Sequence, residues 1–457
     1  FIIFIIIPNI RIINIILLNV MAFWMSVKPK ISTLKDSFKG LKTSAKAEGI
    51  YPSGMSRNDL HLFAKFDWHG LVDCLLPCSL FAFRLPVHAE FWMLLVLVFW
   101  LAIKMSLRAF RDKTYLYFLA VFFISISTFF RPIPISSSSD FLLVFFSFVV
   151  GVGCSRKRWM WSLWILASMG GVAIVALNFI YEPGGVRFFS IESVSWLLPR
   201  FRLMIGEMHV NLSGYLLGSL SLIGYGLWRH NRFKARWLAF WFAAITYSLA
   251  FLSGSKASAF LPIASILFAE LAWKHRKMIQ EKGMLLAMAF LGIGLTFSLM
   301  LYLPNSPLSK ISTNEYARSK VAQCFFYEAT YSWPRFFVGN GGDTVSHFCE
   351  DRVLVISRKG RILTGLVPHA HNSYLQVFAD YGIFPALLLL LVFVFSIRNS
   401  LNLIAAGDGL LGTIGFSLGL FLFFFGLFDS ILLSWSINQI MTGYLLSISW
   451  PERMSTK

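Results

Sequence analysis

Charge is what this chain has least of. Only 14% of its 457 residues are Asp, Glu, Lys or Arg, against about a quarter in ordinary soluble domains, and the mean hydropathy is +0.67. A composition this apolar excludes a water-soluble globular fold and implies a polytopic membrane protein. Acidic residues are scarcest, 22 against 41 basic ones, for a net charge of +19. Such an excess would suit nucleic acid, but Lys and Arg stand in short clusters between apolar runs, which is the positive-inside pattern of membrane proteins, so no nucleic-acid partner is expected. Cysteine is rare as well. Three of the five, Cys74, Cys78 and Cys154, lie in or at the end of apolar runs, where a small buried hydrophobe is the default. There is no Gly-x-Gly-x-x-Gly fingerprint, no phosphate loop ending in Gly-Lys-Ser or Gly-Lys-Thr, no internal repeat and no heptad pattern. Nucleotide-driven chemistry, solenoids and coiled coils therefore have no support.

What the chain has in abundance is apolar runs of crossing length, since each span needs about 20 apolar residues. They fall at 70–86, 89–107, 114–130, 140–154, 159–181, 211–228, 235–252, 257–273, 284–303, 376–397, 409–428 and 431–449. The expected fold is an all-α bundle of about twelve transmembrane helices with a large external loop between the ninth and tenth. Loops Lys104 to Lys113, Ser155 to Arg158, Arg229 to Arg236 and Lys274 to Lys282 are basic, and those alternating with them, Pro132 to Asp140 and Ser253 to Lys256, are poor in charge. Basic loops face the cytoplasm, which puts the polar stretches 182–210 and 304–375 together on the outer face. The first 19 residues are nearly all Ile, Leu, Phe and Asn, with Arg11 among them. A start at Met21 or Met55 is expected, with residues 1–69 a largely cytoplasmic leader. Residues 70–303 then hold nine spans, 304–375 the external loop, and 376–457 three spans and a tail.

The outer stretches hold the residues able to do chemistry. Arg200 and Arg202 precede a span that begins near Asn211. They suit either snorkelling to lipid phosphates or bidentate recognition of a diphosphate, and their external position runs against the positive-inside bias. Asn314 to Lys320, with Arg318, reads as the start of a loop helix. The turn Gly339-Asn340-Gly341-Gly342-Asp343 reads as a loop turn or as a cradle of amides for a phosphate. Cys324 and Cys349 both fall in the external loop. In an oxidising compartment their pairing would close about 25 residues and contribute roughly 3 to 4 kcal/mol.

The densest signal is Pro368-His369-Ala370-His371-Asn372-Ser373-Tyr374-Leu375, where the loop meets an apolar segment. Imidazole titrates near physiological pH, so a histidine pair at a membrane boundary is a candidate for acid–base work. It admits three readings: a zinc pair, a capped helix start, or a catalytic base. Zinc is the weakest, because the two histidines are two apart and no Glu or Cys follows at a spacing that completes a ligand set. The cap reading accounts for Asn372 or Ser373 opening a helix over Tyr374 to Tyr381. It leaves two histidines unexplained.

The order Arg202-x3-Gly206 with Asn211, Ser253-x-Ser255-Lys256, Arg318, Gly339-x-Gly341 and His371-Asn372-x9-Gly382 resembles the O-antigen ligase and O-antigen polymerase superfamily over roughly residues 190–390. That resemblance implies a GT-C-like membrane glycosyltransferase that uses a polyprenyl (undecaprenyl) diphosphate-linked glycan as donor. The implied acceptor is a hydroxyl of a glycan or of lipid A core, on the outer face of the inner membrane. Carried over to this chain, it makes His371 the base and Arg202 and Arg318 the diphosphate clamp. Arg200, Asn211, Lys256, Gly339, Gly341, His369 and Asn372 line the substrate site, with no cofactor and no metal. Lys256 stands where many members have Arg, and a point charge cannot offer the same fork of donors. Transfer to lipid A core is the first expectation and polymerisation of O-antigen or exopolysaccharide the second. A non-enzymatic glycolipid transporter is the reading from another class, and it calls for ionisable residues inside spans and paired broken helices.

Overall fold

The computed structural model describes residues 190–192, 200–202, 210–230, 236–253, 255–302, 313–341, 344–352, 355–356, 362–363, 369–430, 432 and 436–450. It also describes the helical positions 144–145, 147–148, 151–152 and 163. The leader 1–69, the first three expected spans, most of the fourth and fifth, and Cys74, Cys78 and Cys154 lie outside the described residues.

Four helices follow one another with short connections: α1 (Val210–His230), α2 (Arg236–Leu252), α3 (Lys256–Lys274) and α4 (Arg276–Tyr302). Their bounds match the apolar runs within a few residues, except that α4 begins eight residues before its run, in the basic segment. The long polar stretch folds as α5 (Thr313–Thr330), α6 (Trp333–Val338) and α7 (Thr344–Arg352), then α8 (Ser373–Tyr381) leads to α9 (Ile383–Ala405), α10 (Gly409–Phe428) and α11 (Ser436–Leu446). The described part is thus predominantly helical, and α3, α9 and α10 are long and apolar enough to cross a membrane. Two small antiparallel ladders depart from the all-α expectation. β1 (Ser190–Glu192) pairs with β2 (Arg200–Arg202), with Ser190 opposite Arg202 and Glu192 opposite Arg200, and β3 (Val355–Ile356) pairs with β4 (Ile362–Leu363).

α10 is the axis of the bundle. It is apolar on every side and buried along nearly its whole length, as a helix must be when all its faces meet other helices. α1 approaches it closely because its Gly and Ser positions present little side chain, the device by which membrane helices gain van der Waals contact. A Cβ on Gly226 would run into Ile414, and one on Gly218 would press on Phe421. Tyr215 of α1 is fully buried, lies against Phe421 and Phe425, and its hydroxyl is 2.7 Å from Thr442 Oγ1 on α11. The outward faces are as apolar as the core. Trp237, Leu238 and Trp241 on α2, Phe260 and Leu267 on α3, Leu285 and Ile293 on α4, and Leu387 and Leu391 on α9 are all exposed. Lipid is the solvent that such a surface requires.

The expected span 376–397 proves to be two helices. α8 ends at Gly382, whose φ of 87° is open to glycine at little cost, and a Cβ there would strike the Phe337 carbonyl oxygen. The chain then turns back, so that Tyr374 at the start of α8 packs edge-on against Phe393, well inside α9, with ring centroids 5.8 Å apart. The start of α8 therefore lies about 13 Å, the length of its nine residues, below the α8–α9 corner. Residues 369–375 therefore lie below that corner, where α10 ends and α1 begins.

Candidate functional site

The site is built where the foot of α8, the end of α10 and the beginning of α1 meet. Asn372 caps α8: its side-chain oxygen accepts the Tyr374 and Leu375 amides, each at 3.0 Å, the expected use of Asn at a helix start. Its Nδ2 donates to the Leu427 carbonyl at 3.2 Å, and the neighbouring Ser373 hydroxyl donates to the Asp429 carbonyl at 2.8 Å. On the other side of the turn the Ala370 amide donates to Gln376 Oε1 at 2.8 Å. These bonds hold His371 at φ 53°, where, among the described residues, it is the one non-glycine with positive φ. Left-handed backbone costs an L-residue roughly 1 to 2 kcal/mol, so the turn is kept in this shape by its attachments to α8 and α10.

The two imidazoles stand edge to face, with centroids 4.4 Å apart, and both look toward Asp429. His369 Nε2 is 3.7 Å and His371 Nδ1 4.0 Å from Asp429 Oδ1. The histidine side chains keep 32% and 27% of their exposure, whereas that of Asp429 keeps 6%. The carboxylate is held by two donors: Oδ1 accepts the Ser430 amide at 2.8 Å and Oδ2 accepts from Asn211 Nδ2. A carboxylate beside an imidazole favours its protonated form by about 1 kcal/mol at 4 Å in water and about 4 kcal/mol at an effective dielectric of 20. The arrangement therefore suits an imidazole that accepts a proton during a reaction.

Asp429 went unnoticed in the sequence, although a signal was present. It closes α10 at the C-terminal end, where the helix dipole disfavours an anion, and a lone acid in that place calls for a cationic or hydrogen-bonding partner. The spacing argument against a metal reached only along the chain. Asp429 now stands as a third possible ligand beside His369 and His371, contributed from 56 positions beyond Ser373.

Of the other residues singled out, Asn211 and Asn372 join the histidines directly through Asp429 and the cap. Lys256 is exposed at the first turn of α3. It belongs to the same end of the bundle, because Gly214, one turn from Asn211, lies against Ser253 and Ser258 of the α2–α3 corner. Arg200 and Arg202 bound β2, which lies beside α2, and Arg318 lies in α5, which packs on α8. The guanidinium positions of all three arginines are outside the described side chains. Gly339 and Gly341 are not part of the histidine cluster. They meet the far end of α8, where the Asn340 and Gly341 amides donate to the Ala379 and Asp380 carbonyls at 2.9 Å each. The Gly339 amide is bonded to the Arg335 carbonyl at 2.8 Å. These amides hold loop to helix, the plain-turn reading of the motif. Cys324 and Cys349 are joined in a disulfide that ties α5 to α7, and Asn340 Nδ2 reaches both the Glu328 and Ala379 carbonyls at 3.2 Å. Helices α5 to α7 are thereby fastened over α8.

The opposite end of the bundle is basic. Arg229, Arg236, Lys274 and Arg276 lie there, His230 Nε2 meets Thr413 Oγ1 at 3.0 Å, and Arg276 covers Trp273 with 4.8 Å from guanidinium carbon to ring centroid. The chain matches no protein-family model, and the curated proteins contain no significant match to it.

Proposed function

We propose that the protein is an inner-membrane glycosyltransferase that moves a glycan from a polyprenyl diphosphate to an acceptor hydroxyl on the outer face, most simply in O-antigen ligase fashion to lipid A core. The observation that carries this reading is the His371–Asp429 pair, held at the end of the bundle opposite the basic loops. Positive-inside orientation then turns the pair outward. The same reading takes the whole chain as a GT-C-like bundle of about twelve spans.

In the proposed reaction His371 Nδ1 faces Asp429, and Nε2 is the nitrogen that takes the proton of the acceptor hydroxyl. As the acceptor oxygen bonds to the anomeric carbon, its proton passes to Nε2 and the bond from that carbon to the diphosphate oxygen breaks. The polyprenyl diphosphate leaves with the electron pair, and the single displacement inverts the anomeric configuration. Asp429 stabilises the imidazolium while it lasts. Arg202 and Arg318 neutralise the charge that grows on the leaving diphosphate, a task for planar, permanently charged guanidinium groups. Lys256, Arg200 and Asn211 complete the polar surround, and no metal is needed for these steps.

The test is transfer of a lipid-linked glycan in reconstituted membranes. His371→Ala is expected to lose about 100-fold or more of the rate, the usual contribution of a general base, and Arg202→Lys and Arg318→Lys to lose activity as well. Full activity in His371→Ala would reject the base, and full activity in both Lys variants the clamp. Lipopolysaccharide from a strain lacking the protein identifies the acceptor. Bare core with accumulating lipid-linked polymer supports ligation, core bearing single repeats indicates a polymerase, and an unchanged ladder rejects O-antigen as the glycan.

A further inference from the structure

We infer that His369, His371 and Asp429 form a binding site for one divalent transition-metal ion of the zinc class. The inference goes beyond the proposed transfer and stands on geometry alone. One ligand atom from each of the three residues lies within 4.8 Å of the other two. Any triangle with sides no longer than that has a point no more than about 2.8 Å from its corners, so side-chain shifts of about 0.7 Å bring all three atoms to the 2.0 to 2.2 Å of zinc–nitrogen and zinc–oxygen bonds. The histidines retain the exposure that lets them rotate by this amount.

The donor set selects the ion. Two imidazole nitrogens and one carboxylate oxygen suit zinc and its first-row neighbours, whereas magnesium and calcium require oxygen ligands. The surroundings supply the outer hydrogen bonds that metal-binding carboxylates keep. Asp429 is held by the Ser430 amide and Asn211 Nδ2, and its backbone carbonyl by the Ser373 hydroxyl. Three protein ligands leave a coordination position open to water or to a ligand oxygen. Occupancy and proton acceptance exclude each other, because a ring nitrogen bonded to the ion draws electron density from the imidazole. Zinc is therefore expected to silence the proposed transfer reversibly.

The experiment uses the untagged full-length protein in detergent, stripped with chelator and titrated with ZnCl₂ by calorimetry. The visible spectrum with Co²⁺ reports tetrahedral nitrogen and oxygen ligation. One equivalent is expected to bind, MgCl₂ to give no heat, and Asp429→Asn and His369→Gln each to weaken zinc binding by more than about 100-fold, beyond the 10- to 100-fold typical of outer-shell changes. His369→Gln serves where Asp429→Asn fails to fold, since the His369 side chain is partly exposed. Absence of binding by wild type, or unchanged affinity in the folded variants, would overturn the site. Neither result depends on transfer activity, so failure of the metal site and failure of the transferase reading are told apart.

Discussion

Replacing Asp429 by Asn removes one charge and leaves shape almost unchanged, which makes it the sharpest probe of the histidine pair. The separation between His371 Nδ1 and Asp429 Oδ1 is 4.0 Å. An imidazolium and a carboxylate at that distance attract by about 1 kcal/mol in water and about 4 kcal/mol at an effective dielectric of 20. With Asp429 buried and His371 half-buried, the loss falls inside this range, or about 5- to 1000-fold in rate at 1.36 kcal/mol per decade. The attraction exists only while the imidazole is charged, so it belongs to the transition state: kcat should fall with little change in apparent donor affinity. The introduced carboxamide keeps an oxygen for the Ser430 amide, and the Asn211 amide can flip to meet the new donor. Thermal stability should therefore change far less than rate. The assay is glycan transfer in proteoliposomes over a range of donor concentrations, with melting temperature measured in parallel and chelator present to keep the site metal-free. Wild-type kcat in a folded Asp429→Asn protein would refute the role given to the pair.

Three structural predictions accompany it. Gly382→Ala should cost about 3 kcal/mol or more, combining a glycine-type backbone with a Cβ directed at the Phe337 carbonyl; a chemical denaturation midpoint equal to wild type would contradict the close approach of α6. Asn372→Ala removes the α8 cap and the tie to Leu427, for an expected loss of about 1 to 2 kcal/mol and a larger loss of transfer, because the His371 turn loosens; a stability loss without any change in rate would argue against that coupling. Cys324→Ser opens a loop of 25 residues and should cost about 3.5 kcal/mol by loop entropy; its mobility on a non-reducing gel should differ from wild type, and equal mobility would contradict the bond.

Much of the described part of the fold was legible because its causes are local. Hydropathy located α1 to α3 and α10 to within a few residues, since an apolar run of crossing length needs no partner to declare itself. Asn372 was readable as a cap for the same reason, its bonds reaching only two and three residues ahead. The break at Gly382 was hidden, because the apolar character continues through it from α8 into α9, and what forbids a side chain there is the Phe337 carbonyl of another segment. Gly339-x-Gly341 kept two readings open until the Ala379 and Asp380 carbonyls were seen to accept the Asn340 and Gly341 amides.

The sequence by itself determined the membrane class of the molecule and the basic and charge-poor ends of its helices, and it singled out His369 and His371 as candidates, because composition and short-range pattern act on each segment alone. Only the tertiary structure decided what the histidines face. Asp429 and Asn211 lie 218 positions apart, and no spacing rule links them. They meet because the glycines of α1 let it close on α10, so that both helices end at the foot of α8. Packing converts three unrelated helix ends into one polar cluster, and that step depends on side-chain volume and long-range contact rather than on any local motif.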